Sequence, residues 1–381
     1  MLPRITMPAA AAALIVLLLA APARAQIDTA AQHAILMDYD SGEILFDKDG
    51  EAPMPPSSMS KLMTVELVFR RLKEGSLKPT DTFHVSEKAW REGADSSESK
   101  MFVMVNSDVS VDDLLKGIIV QSGNDACVVV AEGMAGSEDA FAQMMTKRAK
   151  ELGLTQSHFA NATGMPDPGQ YMSARDLAML AAHIIRDYPE YYKYFGMTDF
   201  TWSKIHQPNR NPLLTANVGA DGLKTGHTDA GGYGLVGSAV QGGRRLILVL
   251  NGLTSERQRV EESQRLMQIG FRDFKHYDLF KPSDVVMQAD VWGGASPTVP
   301  LRVGTPLSII LHPESRHDMK VTVHYDSPIP APIAAGQQLG TITVSAPGHP
   351  NKTAPLYAAS DVPMTGLFGR VWLGIKSLTG G

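Results

Sequence analysis

Three short strings carry the residue types that can attack an amide. They are Ser58-Met59-Ser60-Lys61, Ser122-Gly123-Asn124 and Lys224-Thr225-Gly226. A serine hydroxyl is a poor nucleophile at neutral pH and needs a base. Lys61 follows Ser58 by one helical turn and can be that base once its ammonium loses a proton, which a buried, cationic site encourages. Lys224 supplies the second positive charge. Ser122 can relay a proton between Lys61 and a leaving amine, and Asn124 can hydrogen-bond the amide of a bound peptide. Taken singly, each string has a plainer explanation: Ser58 as a helix cap, Lys61 and Lys224 as surface charges, Ser122 as a turn residue. Taken together and in this order, they specify acyl transfer through a serine-bound intermediate.

The surrounding elements must bring the strings to one place. Pro53, Pro55 and Pro56 break regular structure, and Leu62, Val65, Val68 and Leu72 then recur at helical spacing. Ser58 therefore sits at a helix N-terminus, a site that offers backbone N–H groups to an oxyanion. Residues Val111 to Met134 read as helix broken at Gln121-Ser122-Gly123-Asn124, which places the second string on a connection. Ala140 to Leu152 reads as helix ended by Gly153, and Ser173 caps another through Ile184. From Leu223 the period changes to strand type, with Tyr233 to Val240, a Gln241-Gly242-Gly243 turn and the buried run Leu246 to Leu250. Ser255 begins a helix carrying Val260, Leu266, Ile269 and Phe271. Ile35-Leu36-Met37 and Ile44-Leu45-Phe46 form strands around Asp40-Ser41-Gly42. Helices flanking antiparallel strands make an α/β (α+β) unit.

The 381 residues are 44% hydrophobic and 20% charged, enough for a real core and a second unit. A net charge of −5 gives no reason for nucleic-acid binding. Residues 1–25 read as a signal peptide: Arg4, an apolar run from Ala9 to Ala21, and Ala23-Arg24-Ala25 as cleavage site. Export implies an oxidising compartment, yet Cys127 is the one cysteine, so no internal disulfide forms; its apolar helical context reads as a buried, inert thiol. No histidine or carboxylate spacing suggests a metal or other cofactor. Near Phe280-Lys281-Pro282-Ser283 the pattern shifts to short β runs: Val299 to Val303, Leu307 to Leu311, Val321 to Tyr325 and Thr341 to Val344. At the end, Met364, Leu367, Phe368, Val371, Trp372, Ile375 and Leu378 form an apolar helical stripe with Arg370 and Lys376 off it, which reads as a helix lying on a membrane surface.

From about residue 30 to 378 the chain resembles the low-molecular-mass penicillin-binding proteins that are D-alanyl-D-alanine carboxypeptidases. The resemblance rests on Pro56 to Lys61, on Gln121 to Cys127, on Asp221-Gly222-Leu223-Lys224-Thr225-Gly226-His227-Thr228-Asp229, and on Gly169-Gln170-Tyr171-Met172-Ser173-Ala174-Arg175-Asp176. It implies a β-lactamase/transpeptidase-like catalytic domain over 26–280, a small β-sandwich domain over 281–361 and an amphipathic anchoring helix over 362–381. The implied activity is removal of the terminal D-alanine from peptidoglycan stem peptides, through an acyl-enzyme on Ser58, with Lys61 as base and Ser122 beside it. β-Lactam antibiotics would acylate the same serine. Asn124, Lys224, Thr225, Gly226, His227 and Arg259 would bind substrate, His227 through its backbone N–H and Arg259 through the terminal carboxylate, with Arg257 near enough to compete for that role. The implied location is the periplasmic face of the inner membrane. A class A-like β-lactamase would need a deacylating carboxylate, for which Glu98 and Asp167 are the candidates. A catalytically weak wall-binding protein would lack one of the groups above, and none is missing.

Overall fold

The structure, a computed structural model, describes residues 27–93, 99–347 and 349–366. The leader, Glu98 and the tail from residue 367 lie outside the described residues. In chain order, β1 (His33–Asp38) and β2 (Ile44–Lys48) form a hairpin whose turn is tied by Asp38, its carboxylate accepting the Ser41 N–H and hydroxyl. A single 3-10 turn, Ser57–Ser60, leads directly into α1 (Lys61–Lys73). β3 (Thr82–His84) and β4 (Asp108–Ser110) pair antiparallel around α2 (Glu87–Glu92). Then come α3 (Val111–Val120), α4 (Asn124–Ala135), α5 (Glu138–Glu151), α6 (Ala174–Asp187) and the short α7 (Pro189–Tyr192). Ser110, Ser137 and Ser173 cap α3, α5 and α6 by accepting a first-turn N–H that has no partner inside the helix.

A hairpin of β5 (Asp199–Trp202) and β6 (Ile205–Pro208) precedes β7 (Ala220–Thr228), β8 (Gly232–Gln241) and β9 (Arg244–Leu253). Ser255 caps α8 (Glu256–Asp273). The central sheet is antiparallel in the order β2-β1-β9-β8-β7. Strand side chains alternate between faces, and here both faces are covered. Ile35, Met37, Ile247 and Val249 face the layer of α1 and α3 to α6, while Ala34, Leu36, Leu246, Leu248 and Leu250 face α8. That is why the Leu246 to Leu250 run is continuously apolar. Cys127 is fully buried in the first of these cores, where burial pushes its thiol up to about 12.

The inward face of α8 departs from the sequence reading. Its buried residues are Arg259, Ser263, Leu266, Met267 and Gly270, with Ile269 and Phe271 only packed at the edge.

The second domain contains β10 (Lys275–Phe280), β11 (Met287–Trp292), β12 (Thr298–Val303), β13 (Leu307–Leu311), α9 (Pro313–His317), β14 (Lys320–Tyr325), β15 (Ile329–Pro330), β16 (Gln338–Ala346) and β17 (His349–Ala358). Six strands form one sheet, β14-β16-β17-β12-β11-β15, and the β10–β13 pair packs over it around Val299, Leu301, Ile309, Leu311, Ile342 and Leu356. β10, which lies before the change of composition near Phe280, pairs with β13. At the other end Val362 bridges Ile333 and Met364 bridges Gly294, so the first residue of the expected apolar stripe is extended rather than helical. The rest of that stripe lies outside the described residues, among which no helix is long and apolar enough to cross a membrane. Glu43, on the β1–β2 turn, joins the domains: it accepts the Ile310 N–H at 2.7 Å and pairs with Lys352.

Phe69 anchors the buried side of α1, fully enclosed and in ring contact with Tyr188, Tyr191, Tyr194 and Phe195. Phe69→Ala should therefore cost about 3–5 kcal/mol, read as a lower denaturant midpoint at unchanged slope.

Candidate active site

Each of the three strings reaches the cleft on a different element. The 3-10 turn presents Ser58 half-buried, while α1 begins at Lys61, which is completely buried. Lys61 Nζ donates to Ser58 Oγ at 2.8 Å, to Asn124 Oδ1 at 2.7 Å and to the Thr163 carbonyl at 2.5 Å. Asn124 is the first residue of α4, and its backbone N–H meets the Ser99 carbonyl at 2.8 Å. Ser122 sits two residues before it with φ +59° and lines the cleft; its Oγ is buried with no partner among the described residues. Next on the chain, Asp125 accepts the N–H groups of Met101, Phe102 and Val103, fixing the strip that starts at Ser99.

β7 closes the opposite wall. Lys224 is buried and donates to the Thr225 carbonyl. Burial, and then the charge of Lys61, hold its ammonium well below the ordinary lysine range. Gly226 is required by proximity: a Cβ there would lie 3.0 Å from the Pro56 carbonyl and 3.1 Å from Met59 and Ser57. A side chain would push β7 away from the serine turn. Ser57 Oγ and Thr228 Oγ1 lock the same contact at 2.8 Å. The His227 ring is exposed and stacks on Tyr233 with centroids 3.9 Å apart. Arg259 approaches the same Tyr233 ring at 5.6 Å, is 4% exposed, and donates to Glu256 at 2.9 Å. Arg257 points away, solvent-exposed and paired with Glu261. The cleft is about 630 Å³ and is lined by Ser58, Ser122, Asn124, Thr225, Gly226, His227 and Arg259, together with Arg210 and Asp229. Asp167 is exposed, accepts the Gly169 N–H and is not part of the lining.

The fourth string works from behind. Met172 exchanges backbone hydrogen bonds with Met54, just before the serine turn. Gln170 accepts the Ala160 and Asn161 N–H groups, and Asp176 accepts from Gln156 and Ser157. Asn161 then accepts the N–H groups of Thr163 and Gly164. The outcome is a fixed loop whose Thr163 carbonyl receives Lys61. That carbonyl, Arg210, Ser99 and Tyr233 were not found in the sequence. A backbone carbonyl leaves no mark of residue type, and the other three lie outside the strings.

Residues 20–254 match the family described as D-alanyl-D-alanine carboxypeptidase. The chain belongs to that family. Residues 274–364 match the C-terminal domain of penicillin-binding protein 5. The chain is 40% identical to the D-alanyl-D-alanine carboxypeptidase DacC of Escherichia coli over 89% of its own length and 86% of that protein's. DacA of Haemophilus influenzae is 38% identical, with 90% and 88% covered. Among solved structures, penicillin-binding protein 5 of Haemophilus influenzae superposes with a TM-score of 0.71 at 38% identity, covering 89% of this chain and 99% of that one. Penicillin-binding protein D2 of Listeria monocytogenes, solved in an ampicillin-bound form, superposes at 0.58 and 27% identity over 65% of this chain and 99% of that one.

Lys224 gives the family site a measurable cost. Its folded pKa lies below the unfolded value of 10.5, so between the two the unfolded chain binds a proton that the folded chain refuses. Stability from this group therefore falls as pH drops below 10.5 and is restored above it. Lys224→Met should melt higher than wild type at pH 7. The gain should vanish as pH rises past 10.5. Melting curves at both pH values test this, and a variant less stable than wild type at pH 7 would contradict it.

Proposed function

We propose that the chain is a serine-type D-alanyl-D-alanine carboxypeptidase that removes the terminal D-alanine from peptidoglycan stem peptides. The observation that carries this reading is Lys61 Nζ, buried and 2.8 Å from Ser58 Oγ. Ser58 Oγ attacks the carbonyl of the penultimate residue, and Lys61 takes the hydroxyl proton. The proton passes through Ser122 to the nitrogen of the departing D-alanine, leaving an ester on Ser58. Water then hydrolyses that ester. Backbone N–H groups of Ser58 and His227 receive the oxyanion. Asn124 and Thr225 hold the peptide, Gly226 lets β7 approach, Lys224 adds positive charge, and Arg259 takes the terminal carboxylate. A β-lactam is a strained amide that enters the same cleft and esterifies Ser58. Asp167, which lies off the cleft, gives a β-lactamase reading no deacylating base.

The enzyme works on the periplasmic face of the inner membrane after loss of residues 1–25, held there by the stripe from Leu367 to Leu378. The support for this is the sequence pattern of the two ends.

Ser58→Ala should take up no fluorescent penicillin while keeping the wild-type circular dichroism spectrum. Lys61→Arg keeps the charge, but arginine stays protonated, so acylation should fall nearly as far as in Lys61→Ala. Near-normal labelling of the arginine variant would remove Lys61 from proton transfer. Ending the chain after Gly366 preserves the Met364 bridge and should release an active enzyme into the soluble fraction. Continued sedimentation with membranes would place the anchor elsewhere.

A further inference from the structure

The second domain meets the catalytic domain at one end and releases the tail at the other. At the near end Lys352 of β17 pairs with Glu43, and the His349 ring lies against Phe274, which follows α8. From Lys352, β17 runs to Ala358. The chain continues through Val362, bridged to Ile333, to Met364, bridged to Gly294. Trp292 ends β11 beside that last bridge. Its backbone is fixed on both sides. The Trp292 carbonyl accepts the Ala331 N–H at 2.9 Å, and the Gly293 carbonyl accepts the Thr365 N–H at 2.9 Å. The Ala295 N–H donates to the Pro363 carbonyl at 2.8 Å.

Two large apolar side chains at this far end face outward. Trp292 is 59% exposed and Met364 49%. Trp292 is the most exposed tryptophan among the described residues. Its indole makes no hydrogen bond or ring contact among them, whereas the Trp202 indole N–H donates to the Phe102 carbonyl. An apolar side chain held outward on a fixed backbone marks a contact surface. The position of the tail says what covers it. Thr365 and Gly366 alone separate Met364 from Leu367, where the proposed membrane stripe begins. Three residues span at most about 11 Å, similar to the depth of a bilayer's headgroup layer. A stripe lying in that layer therefore holds Met364, and Trp292 beside it, at the lipid surface. An indole, apolar with one N–H, suits that layer. Asp326 and Asp361, exposed at the same end, offer no attraction to anionic lipid, so the contact is apolar rather than ionic.

We propose that Trp292 and Met364 insert into the headgroup layer of the phospholipid bilayer, so that the far end of the second domain is a membrane contact in its own right. The proposal rests on the membrane reading of the tail. Held by the tail alone, the protein would pivot about Thr365 and Gly366. A second contact on the end of β11 removes that freedom and sets the height and direction of the cleft above the bilayer. Two side chains do not hold a protein of this size unaided, so a chain ended after Gly366 is still released.

The test uses the chain from Gln26 to Gly381 and unilamellar vesicles of phosphatidylcholine, with and without phosphatidylglycerol. Trp292→Ser should lose about fivefold in vesicle partition, measured by sedimentation. The loss should be the same in both lipids and in high salt, because no charge is removed. Trp292→Phe should keep most of the binding, and both variants should label with fluorescent penicillin as wild type does. A second measurement reads the contact directly. In a Trp372→Phe chain, brominated phosphatidylcholine should quench a part of the tryptophan emission that disappears once Trp292→Phe is added. If wild type binds vesicles and Trp292→Ser binds equally well, or if the quenching does not depend on Trp292, the proposal is overturned and the tail remains the anchor. A wild-type chain that binds neither kind of vesicle would instead overturn the membrane reading, and the proposal with it.

Discussion

The structure turns on the burial of one amine. Lys61 has no contact with water and sits among a hydroxyl, a side-chain amide and a backbone carbonyl. Taking a lysine out of water costs several kcal/mol unless it is fully hydrogen-bonded or gives up its proton. Here the acceptors come from three distant parts of the chain: the serine turn, the start of α4 and the loop before α6. Each acceptor must be held by something else, so the demand spreads outward. Asn124 is fixed by Ser99, Thr163 by Asn161, and the serine turn by Met172 and Thr228.

Lys224 adds a second buried amine on the facing strand, at a further cost in stability. β7 tolerates it because the strand is pinned at both ends. At its start, Asp221 takes a two-pronged contact from Arg245 at 2.8 Å and the Tyr192 hydroxyl at 2.8 Å. Toward its end, Gly226 lets the backbone press against Pro56 and Met59. The result is a narrow gap, set by backbone contacts, with amines on either side of Ser58. Catalytic geometry of this kind is built by surrounding packing and is not a property of the three strings alone.

What the sequence showed and what it hid follow from range. The helices from Leu62, Val111 and Ala140 and the strands around Leu246 were legible because their signal is a local period matched to one or two covered faces. The three strings were legible because chemistry restricts residue type. Arg259 was harder to place, since the inward face of α8 includes an arginine, a serine and a glycine that break the apolar period; only the tertiary structure separates it from the exposed Arg257. β10 was hard to read for a similar reason. Lys275, His276 and Asp278 make β10 look like a linker, and its pairing with β13 is a contact between distant segments. Thr163 was invisible because it acts through its backbone.

Cys127 lies three residues beyond Asn124, inside the core behind the cleft. Its thiol is inaccessible and its proton is held up to about 12. Oxidants, mixed disulfides and metal ions react with an accessible thiolate, and this residue offers neither access nor charge. The core behind the cleft is thereby insulated from thiol redox chemistry. Packing rather than any cross-link keeps the neighbours of Ser58 in place, in an oxidising or a reducing medium alike.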